Sequence, residues 1–139
     1  MLDLHSGVVY KNALPAQTQT NSDTAFTGET IDLAGYRGAE FVINTGTITD
    51  TDVTCTTILQ HDDAANMGTA ETVTAALGLV GSNPTIAAAS DAKCFRVGYN
   101  GSKRYVRLLI TPSGNNSGAL PIAAVVCLKP MKQVEAQPA

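Results

Sequence analysis

The sequence predicts an all-β protein: an antiparallel β-sandwich, jelly-roll-like, with an extended N-terminal arm. Three observations predict this fold class. Threonine, valine and isoleucine are frequent, residues that favour turns recur at short intervals, and no long stretch keeps the 3.6-residue period of an amphipathic helix. With 139 residues, the chain is long enough to bury a core as one domain.

Seven segments have the composition and alternation of β-strands: Thr30–Leu33, Ala39–Asn44, Asp52–Gln60, Thr72–Gly78, Lys93–Tyr99, Arg104–Thr111 and Ile122–Leu128. Seven short strands fit a sandwich or a jelly roll. The fourth segment is ambiguous, because residues 69–79 also fit a short helix with Val73, Ala76 and Leu77 on one face. We favour a strand there.

The stretch FRVGYNGSKRYVRLLITP, residues 95–112, contains two alternating runs separated by Asn100-Gly101. Side chains alternate between the two faces of a strand, so each run has one apolar face. Asparagine and glycine tolerate the positive φ of a tight turn. The stretch therefore predicts an antiparallel hairpin.

The last predicted strand is apolar on both faces. Ile122, Ala124, Val126 and Leu128 alternate with Ala123, Val125 and Cys127. A sandwich covers one face of such a strand with its opposite sheet, and a second apolar face needs another cover. A terminal arm, a neighbouring subunit and a long loop of the same chain all remain open as that cover.

The two ends of the chain differ from the middle. We predict an N-terminal arm at residues 1–23, a β-sandwich domain at residues 24–129 and a flexible C-terminal tail at residues 130–139. The apolar residues of the arm need a partner surface, either on a neighbouring subunit or as an edge strand of their own subunit. With the second face of the last strand, they form the predicted interface: Leu2, Leu4, Val8, Val9, Tyr10, Leu14, Ala123, Val125 and Cys127. Deleting residues 1–14 is expected to leave the β structure intact.

Composition and charge exclude several classes of partner. Only 15% of the residues are charged, below the usual quarter, which indicates surface hidden in an assembly. The net charge of −3 provides no broad attraction to nucleic acid or to acidic membranes. The longest apolar run, residues 119–128, is well short of the ~20 residues that span a bilayer. The N-terminus has no pattern of a secretory signal, so we expect the protein to begin in a cytoplasm.

Residues able to support catalysis or metal binding are few. The three cysteines, Cys55, Cys94 and Cys127, lack the spacing of a zinc site and are expected to be buried free thiols. His61 is followed by Asp62 and Asp63, whereas the carboxylates of residues 50 and 52 lie ~30 Å away at the other end of an extended strand. We expect both acidic clusters to be solvated loop ends. No nucleophile elbow, P-loop or dinucleotide motif occurs, so we predict no catalytic residue, no metal, no cofactor and no enzyme.

Two longer stretches resemble a known family. IDLAGYRGAEFVINTGTITDTDVTCTTILQHDD, followed by VGYNGSKRYVRLLITPSGNNSGALPIAAVVCL, is similar to small structural proteins of tailed bacteriophages and gene-transfer particles. The similarity spans roughly residues 30–128 and is best in the last third. It implies a β-sandwich particle protein without enzymatic activity. The chain departs from the family after Asp62-Asp63: related proteins often continue there to an aromatic residue, whereas this chain continues with Ala64, Ala65, Asn66 and Met67.

Together these features predict a capsid decoration, or cement, protein. It would form homotrimers, bind the major capsid protein or another head protein at the capsid surface, and be assembled in the cytoplasm of a bacterial host. The alternatives are the base of a head spike or fibre, a tail protein, and a carbohydrate-binding module. The last is disfavoured because the chain has no tryptophan, three phenylalanines and four tyrosines with which to stack on sugars. No membrane and no specific nucleic acid is expected as a partner.

Overall fold

A computed structural model describes residues 3–131, which form an antiparallel β-sandwich. A four-residue helix, α1 (Leu4–Gly7), precedes the first strand. Within the described residues, eleven strands follow: β1 (Val9–Thr20), β2 (Phe26–Thr27), β3 (Ile31–Asp32), β4 (Tyr36–Thr45), β5 (Thr54–Asp62), β6 (Glu71–Thr72), β7 (Leu79–Val80), β8 (Thr85–Ala87), β9 (Cys94–Tyr99), β10 (Tyr105–Ser113) and β11 (Ala119–Pro130). The predicted all-β class is confirmed.

The strands form two sheets that face each other. Sheet A has the order β1-β11-β4-β9-β7, and sheet B has the order β2-β10-β5-β6, with β3 also paired to β10 and β8 to β5. Every pairing among the described strands is antiparallel. The longest pairs, β1 with β11, β4 with β11 and β5 with β10, form most of the two sheets.

The core lies between the sheets and is built by alternation along each strand. β4 contributes Phe41 and Ile43, and β10 contributes residues 106, 108 and 110. β11 buries Ile122, Ala124, Val126 and Leu128, as its pattern predicts. Their neighbours in each strand point away from the core, as the side-chain period of two requires.

The predicted hairpin of residues 95–112 is wrong. β9 lies in sheet A and β10 lies in sheet B, so residues 100–104 cross between the sheets. β9 pairs with β4, and β10 pairs with β5 over nine residues. Stacked sheets are ~10 Å apart, a distance that five residues span easily. The alternation of apolar and polar residues does not distinguish a hairpin from a crossing of this kind. In both arrangements, the apolar face of each strand is turned toward the core.

Gly101 has a steric rather than a conformational role in this crossing. Its φ is not in the positive region that the predicted turn requires. A Cβ atom at this position would lie 2.5 Å from both the carbonyl oxygen of Leu77 and the hydroxyl of Tyr99. The chain therefore needs glycine here because neighbouring atoms approach its Cα closely.

The shorter predicted strands fit less well than the long ones. Residues 72–78 are predicted as a strand, but the structure has β6, a 3₁₀ turn at Ala75–Leu77, and then β7. The strand predicted at residues 30–33 is reduced to β3. Both segments make few ladder hydrogen bonds, so loop packing rather than sheet pairing determines their backbone.

Most of the predicted arm is an edge strand of sheet A. β1 pairs antiparallel with β11 from Val9 to Thr20, with register shifts around Leu14. Ala13 and Leu14 are buried in the core. Deleting residues 1–14 would therefore remove half of a strand and two core side chains, so we now expect this deletion to disturb the β structure. Leu2 and residues 132–139 of the predicted tail lie outside the described residues.

Candidate interaction surface

The outer surface of sheet A carries a group of apolar side chains that point away from the core. We call this surface the open face; it consists of the outward side chains of β1, β11, β4 and β9: Tyr10, Asn12, Ala123, Val125, Cys127, Lys129, Glu40, Val42, Asn44, Cys94 and Arg96. Tyr10 is 53% exposed and Val125 is 43% exposed. Exposed apolar side chains that lie together on one surface make it a candidate interaction site.

Strand register determines the order of side chains across the open face. Val125 lies between Asn12 on β1 and Val42 on β4. Cys127 lies between Tyr10 and Glu40 in the same way. The outward residues of β11 therefore form the apolar centre of the open face. Its two margins are the outward residues of β1 on one side and those of β4 and β9 on the other side.

The two margins of the open face differ chemically. On the β1 side, Tyr10 and Asn12 supply a hydroxyl and an amide. On the other side, Glu40 of β4 lies 3.6 Å from the guanidinium of Arg96 on β9. Both charged side chains are exposed, so water screens this ion pair and it contributes little to stability. They remain able to bind a partner.

Four of the predicted interface residues meet on this surface: Tyr10, Ala123, Val125 and Cys127. Leu14 is only 1% exposed and packs in the core of its own chain. Leu4 lies in α1 and is exposed, and Val8 and Val9 are partly buried. The sequence prediction missed the contributions of Glu40, Val42 and Arg96. Their outward positions follow from the alternation of β4 and β9 once the pairing of these strands is known.

The three thiols have different surroundings. Cys55 is buried, whereas Cys127 is half-buried and Cys94 is exposed, so the expectation of buried thiols is correct only for Cys55. Cys94 is exposed because it begins β9 on the outward side of sheet A. Burial raises the pKa of the Cys55 thiol to about 11. Burial, together with the nearby Glu40 carboxylate, also raises the pKa of Cys127.

The acidic clusters at the ends of β5 are less solvated than predicted. Asp50, His61 and Asp62 are 2%, 2% and 5% exposed, and only Asp52 and Asp63 are exposed as expected. Asp50 accepts hydrogen bonds of 2.8 Å from the backbone N–H groups of residues 52 and 117. Asp62 accepts 2.8 Å and 3.1 Å hydrogen bonds from residues 69 and 64. Loops fold over these carboxylates because they satisfy backbone donors, an effect that the local sequence does not reveal.

Neither cluster is arranged as a metal site. Within residues 3–131, no group of three or more histidine, cysteine, aspartate or glutamate side chains is placed to hold a metal ion. Both oxygens of the buried carboxylates Asp50 and Asp62 accept hydrogen bonds from the protein. Their geometry matches the closing of turns next to a strand.

A polar contact in the core links the two sheets. Nδ1 of His61 on β5 lies 2.8 Å from the hydroxyl oxygen of Tyr99 on β9. That oxygen also accepts the backbone N–H of Lys103 at 3.1 Å. Because this oxygen already accepts from Lys103, we assign the hydroxyl as the donor to Nδ1, an assignment in which a neutral imidazole carries its proton on Nε2. Within the described part of the chain, Nε2 is buried without a hydrogen-bond partner, and the nearest Glu71 carboxylate oxygen is 3.9 Å away.

A depression of about 310 Å³ opens near this link at one end of the sandwich. Three cations line it, and each has a partner within the chain. Arg104 binds Asp32 through two 2.9 Å hydrogen bonds, Lys103 binds Asp63 at 2.7 Å, and Arg37 donates to a backbone carbonyl. Carboxylates neutralise Lys103 and Arg104, whereas Arg37 donates to a neutral carbonyl, so only one of the three lining cations lacks an ion pair among residues 3–131. The open face is the stronger candidate for function.

The carboxylate of Asp50 should make stability fall in acid. Hydrogen bonds from Ser117 and Asp52 hold its pKa below the usual 3.8, against the opposing effect of burial. A lowered folded-state pKa stabilises the fold at pH values above 3.8, and this contribution is lost as the pH falls through the folded-state pKa. Denaturant unfolding from pH 7 to pH 2 should show stability declining below about pH 4, less steeply in Asp50→Asn. Asp52→Asn, at an exposed side chain, is the matched control. Equal slopes for Asp50→Asn and the unmodified protein would contradict this assignment.

Within residues 3–131, no helix is long and apolar enough to cross a membrane.

No known family model matches the sequence, and no curated protein matches it. A solved structure shares its fold. The PBSX exported protein XepA superposes on the whole chain with a TM-score of 0.61 at 13% identity, and the chain covers 43% of XepA.

Two further structures are less similar. The SPBc2 prophage-derived protein YomS has a TM-score of 0.47 at 11% identity, with 86% of this chain and 92% of YomS covered. The CBM22-1 xylan-binding domain from Paenibacillus barcinonensis Xyn10C has a TM-score of 0.44 at 8% identity, with 91% and 88% covered. Neither carries an inference about function. At 13% identity, the likeness to XepA shows a shared β-sandwich fold and nothing more. The chain spans less than half of the length of XepA.

Proposed function

We propose that this chain is a structural protein of a tailed phage or gene-transfer particle, and specifically a decoration protein of the head shell. The open face is the observation that carries this proposal. A rigid sandwich that exposes Val125 and Tyr10 on one sheet surface is suited to being covered by protein. The resemblance of residues 30–128 to particle proteins supports the class, and the low content of charged residues is in keeping with a surface hidden in an assembly.

The proposed mechanism is binding without catalysis. Trimers of the chain attach to the major capsid protein, or to another head protein, on the capsid surface during assembly in the bacterial cytoplasm. Attachment stabilises the shell because expansion or internal pressure must then break the added contacts. Three identical contacts per trimer give strong attachment even where each contact is weak. No cofactor, membrane or specific nucleic acid takes part in this mechanism.

The test is to locate the chain on its particle. Purified protein is mixed with particles that lack it, sedimented with them, and located by electron cryomicroscopy. We expect regularly repeated density on the head shell. Density at a vertex spike or on the tail would contradict decoration and favour the spike-base or tail alternative. Failure to sediment with particles, combined with retention on a xylan column, would favour a carbohydrate-binding module instead.

A further inference from the structure

We propose that the outer edge of β9, at residues 94–97, accepts an extended segment of the head-shell protein as an additional strand of sheet A. The added strand runs antiparallel to β9 and continues the line of β7. This inference rests on the proposed function, because it names the contacts by which the shell holds this chain. Those contacts are main-chain hydrogen bonds at a sheet edge.

The main-chain groups of β9 point alternately toward β4 and away from it. Lys93, which directly precedes β9, faces β4, since its carbonyl accepts the N–H of Thr45 at 3.0 Å. The N–H of Asn100, which directly follows β9, faces the other way and donates at 2.8 Å to the residue that precedes β7. Successive residues of an antiparallel ladder face opposite sides. Cys94 and Arg96 therefore direct their N–H and C=O groups toward the outer edge.

β7 covers only the last part of this edge. It pairs with residues 98 and 99 of β9 and ends at Val80. Gly81 follows with a φ of 82°, and the chain then enters sheet B as β8. Within residues 3–131, no strand pairs with the outward N–H and C=O groups of Cys94 and Arg96. A depression of about 190 Å³ lies beside Arg96, at the place where β7 would otherwise continue.

The opposite edge of sheet A is protected against strand addition. β1 contains Lys11 and Pro15, and its ladder has register shifts on both sides of Leu14. The carbonyl of Ala13 on this strand also accepts the N–H of Glu29 at 2.8 Å. Lysine, proline and bulges are devices that prevent pairing at an edge. β9 has none of these devices and forms a regular ladder with β4, so its free edge is a template for another strand.

A strand of another protein fits this edge better than a second copy of the chain. A copy would have to offer a long strand with a free, regular edge. Among the described strands, β4, β5, β10 and β11 have neighbours on both sides, and β1 is protected. Two β9 edges could pair only over residues 94–97, because β7 of each copy occupies residues 98 and 99. An extended segment from outside needs no edge of this chain besides β9, and main-chain hydrogen bonds supply its affinity.

The side chains around the edge determine the composition of the added strand. Its side chains alternate between the core side and the outer side of sheet A. Phe95 is half-buried at the margin of the core, so the residue beside it should be apolar. Arg96 is 79% exposed on the outer side, so the next residue should be polar. Proline is excluded opposite Cys94 and Arg96, because it has no N–H to donate.

Hydrogen exchange measured by mass spectrometry at single-residue resolution tests the pairing. In the free protein, the amides of Cys94 and Arg96 should exchange rapidly, whereas those of Phe95 and Val97, which face β4, should be protected. Binding to head shells that lack this protein should protect Cys94 and Arg96 as well. Rapid exchange at both residues in the bound state would overturn the proposal. Protection in the free protein, together with a dimeric mass, would place a second copy at the edge and also overturn it.

Replacing Cys94 with proline tests the same contact by affinity. Cys94→Pro removes one outward N–H and puts the ring where the added strand lies. The first residue of a strand tolerates proline, so the circular dichroism spectrum should not change. We expect binding to head shells to weaken by roughly tenfold or more, because a hydrogen bond is lost and the ring obstructs the strand. Cys94→Ala keeps the N–H and should bind like the unmodified protein.

Arg96→Pro, with Arg96→Ala as its control, provides the same comparison if Cys94→Pro does not fold. Equal affinities of a folded proline variant and its alanine control would contradict strand addition.

These outcomes are separable from the proposed function. Binding to head shells without protection of Cys94 and Arg96 would overturn strand addition and leave the decoration role standing. Absence of binding by the unmodified protein would overturn both.

Discussion

Replacing Leu14 with alanine should lower the free energy of unfolding by about 2–5 kcal/mol. Leu14 is 1% exposed and packs between the sheets from the edge strand β1. Truncating a buried leucine removes its apolar contacts and leaves a cavity that the neighbouring side chains fill only in part. Chemical denaturation monitored by circular dichroism measures the effect directly.

Leu4→Ala is the matched control for Leu14→Ala. Leu4 is 69% exposed in α1, and its substitution should change the free energy of unfolding by less than about 0.5 kcal/mol. Similar losses for both variants, or a negligible loss for Leu14→Ala, would contradict the placement of β1 in the sandwich. The pair of variants thus separates an integral edge strand from an arm that packs only on other subunits.

Replacing Tyr99 with phenylalanine should destabilise the protein through the loss of one hydroxyl group. Burial raises the pKa of Tyr99, so the hydroxyl keeps its proton. Its oxygen lies 2.8 Å from Nδ1 of His61. Without the hydroxyl, Nδ1 of His61 and the backbone N–H of Lys103 both lose their partner. Leaving a buried polar group unsatisfied costs about 1–3 kcal/mol. The imidazole of His61 is 2% exposed, so water cannot readily replace the lost contact.

Denaturant unfolding also measures the destabilisation expected for Tyr99→Phe. Tyr105→Phe is its control, because Tyr105 points outward from sheet B and is partly exposed. We expect Tyr105→Phe to stay within about 0.5 kcal/mol of the unmodified protein. A Tyr99→Phe variant as stable as this control would show that the link between the sheets through His61 contributes nothing.

The long strands could be predicted from the sequence because their information is local. Alternation of apolar and polar residues identified the central parts of β4, β5, β9, β10 and β11. It also separated the inward residues of β11 from the outward Ala123, Val125 and Cys127. The side-chain period of two depends only on the extended backbone, so it is readable before any strand partner is known.

Strand pairing could not be predicted in the same way. The run from residue 95 to residue 112 has the alternation and turn residues of a hairpin, yet its two strands lie in different sheets. Likewise, the mixed composition of residues 9–20 does not reveal that they pair with β11 as an edge strand. Both outcomes depend on partners far away in the chain, and the burial gained with those partners outweighs local turn preference.

The candidate surface was likewise only partly accessible from the sequence. The sequence alone determined the fold class, the alternation of the strands and the unusual second apolar face of β11, since each follows from a short segment. Only the tertiary structure decided that Val42, Glu40 and Arg96 join that face, and that Asp50, His61 and Asp62 are buried. The physical reason is that neighbours across a sheet and the solvation of a side chain are set by chain segments far apart in the sequence, brought together by packing of the core.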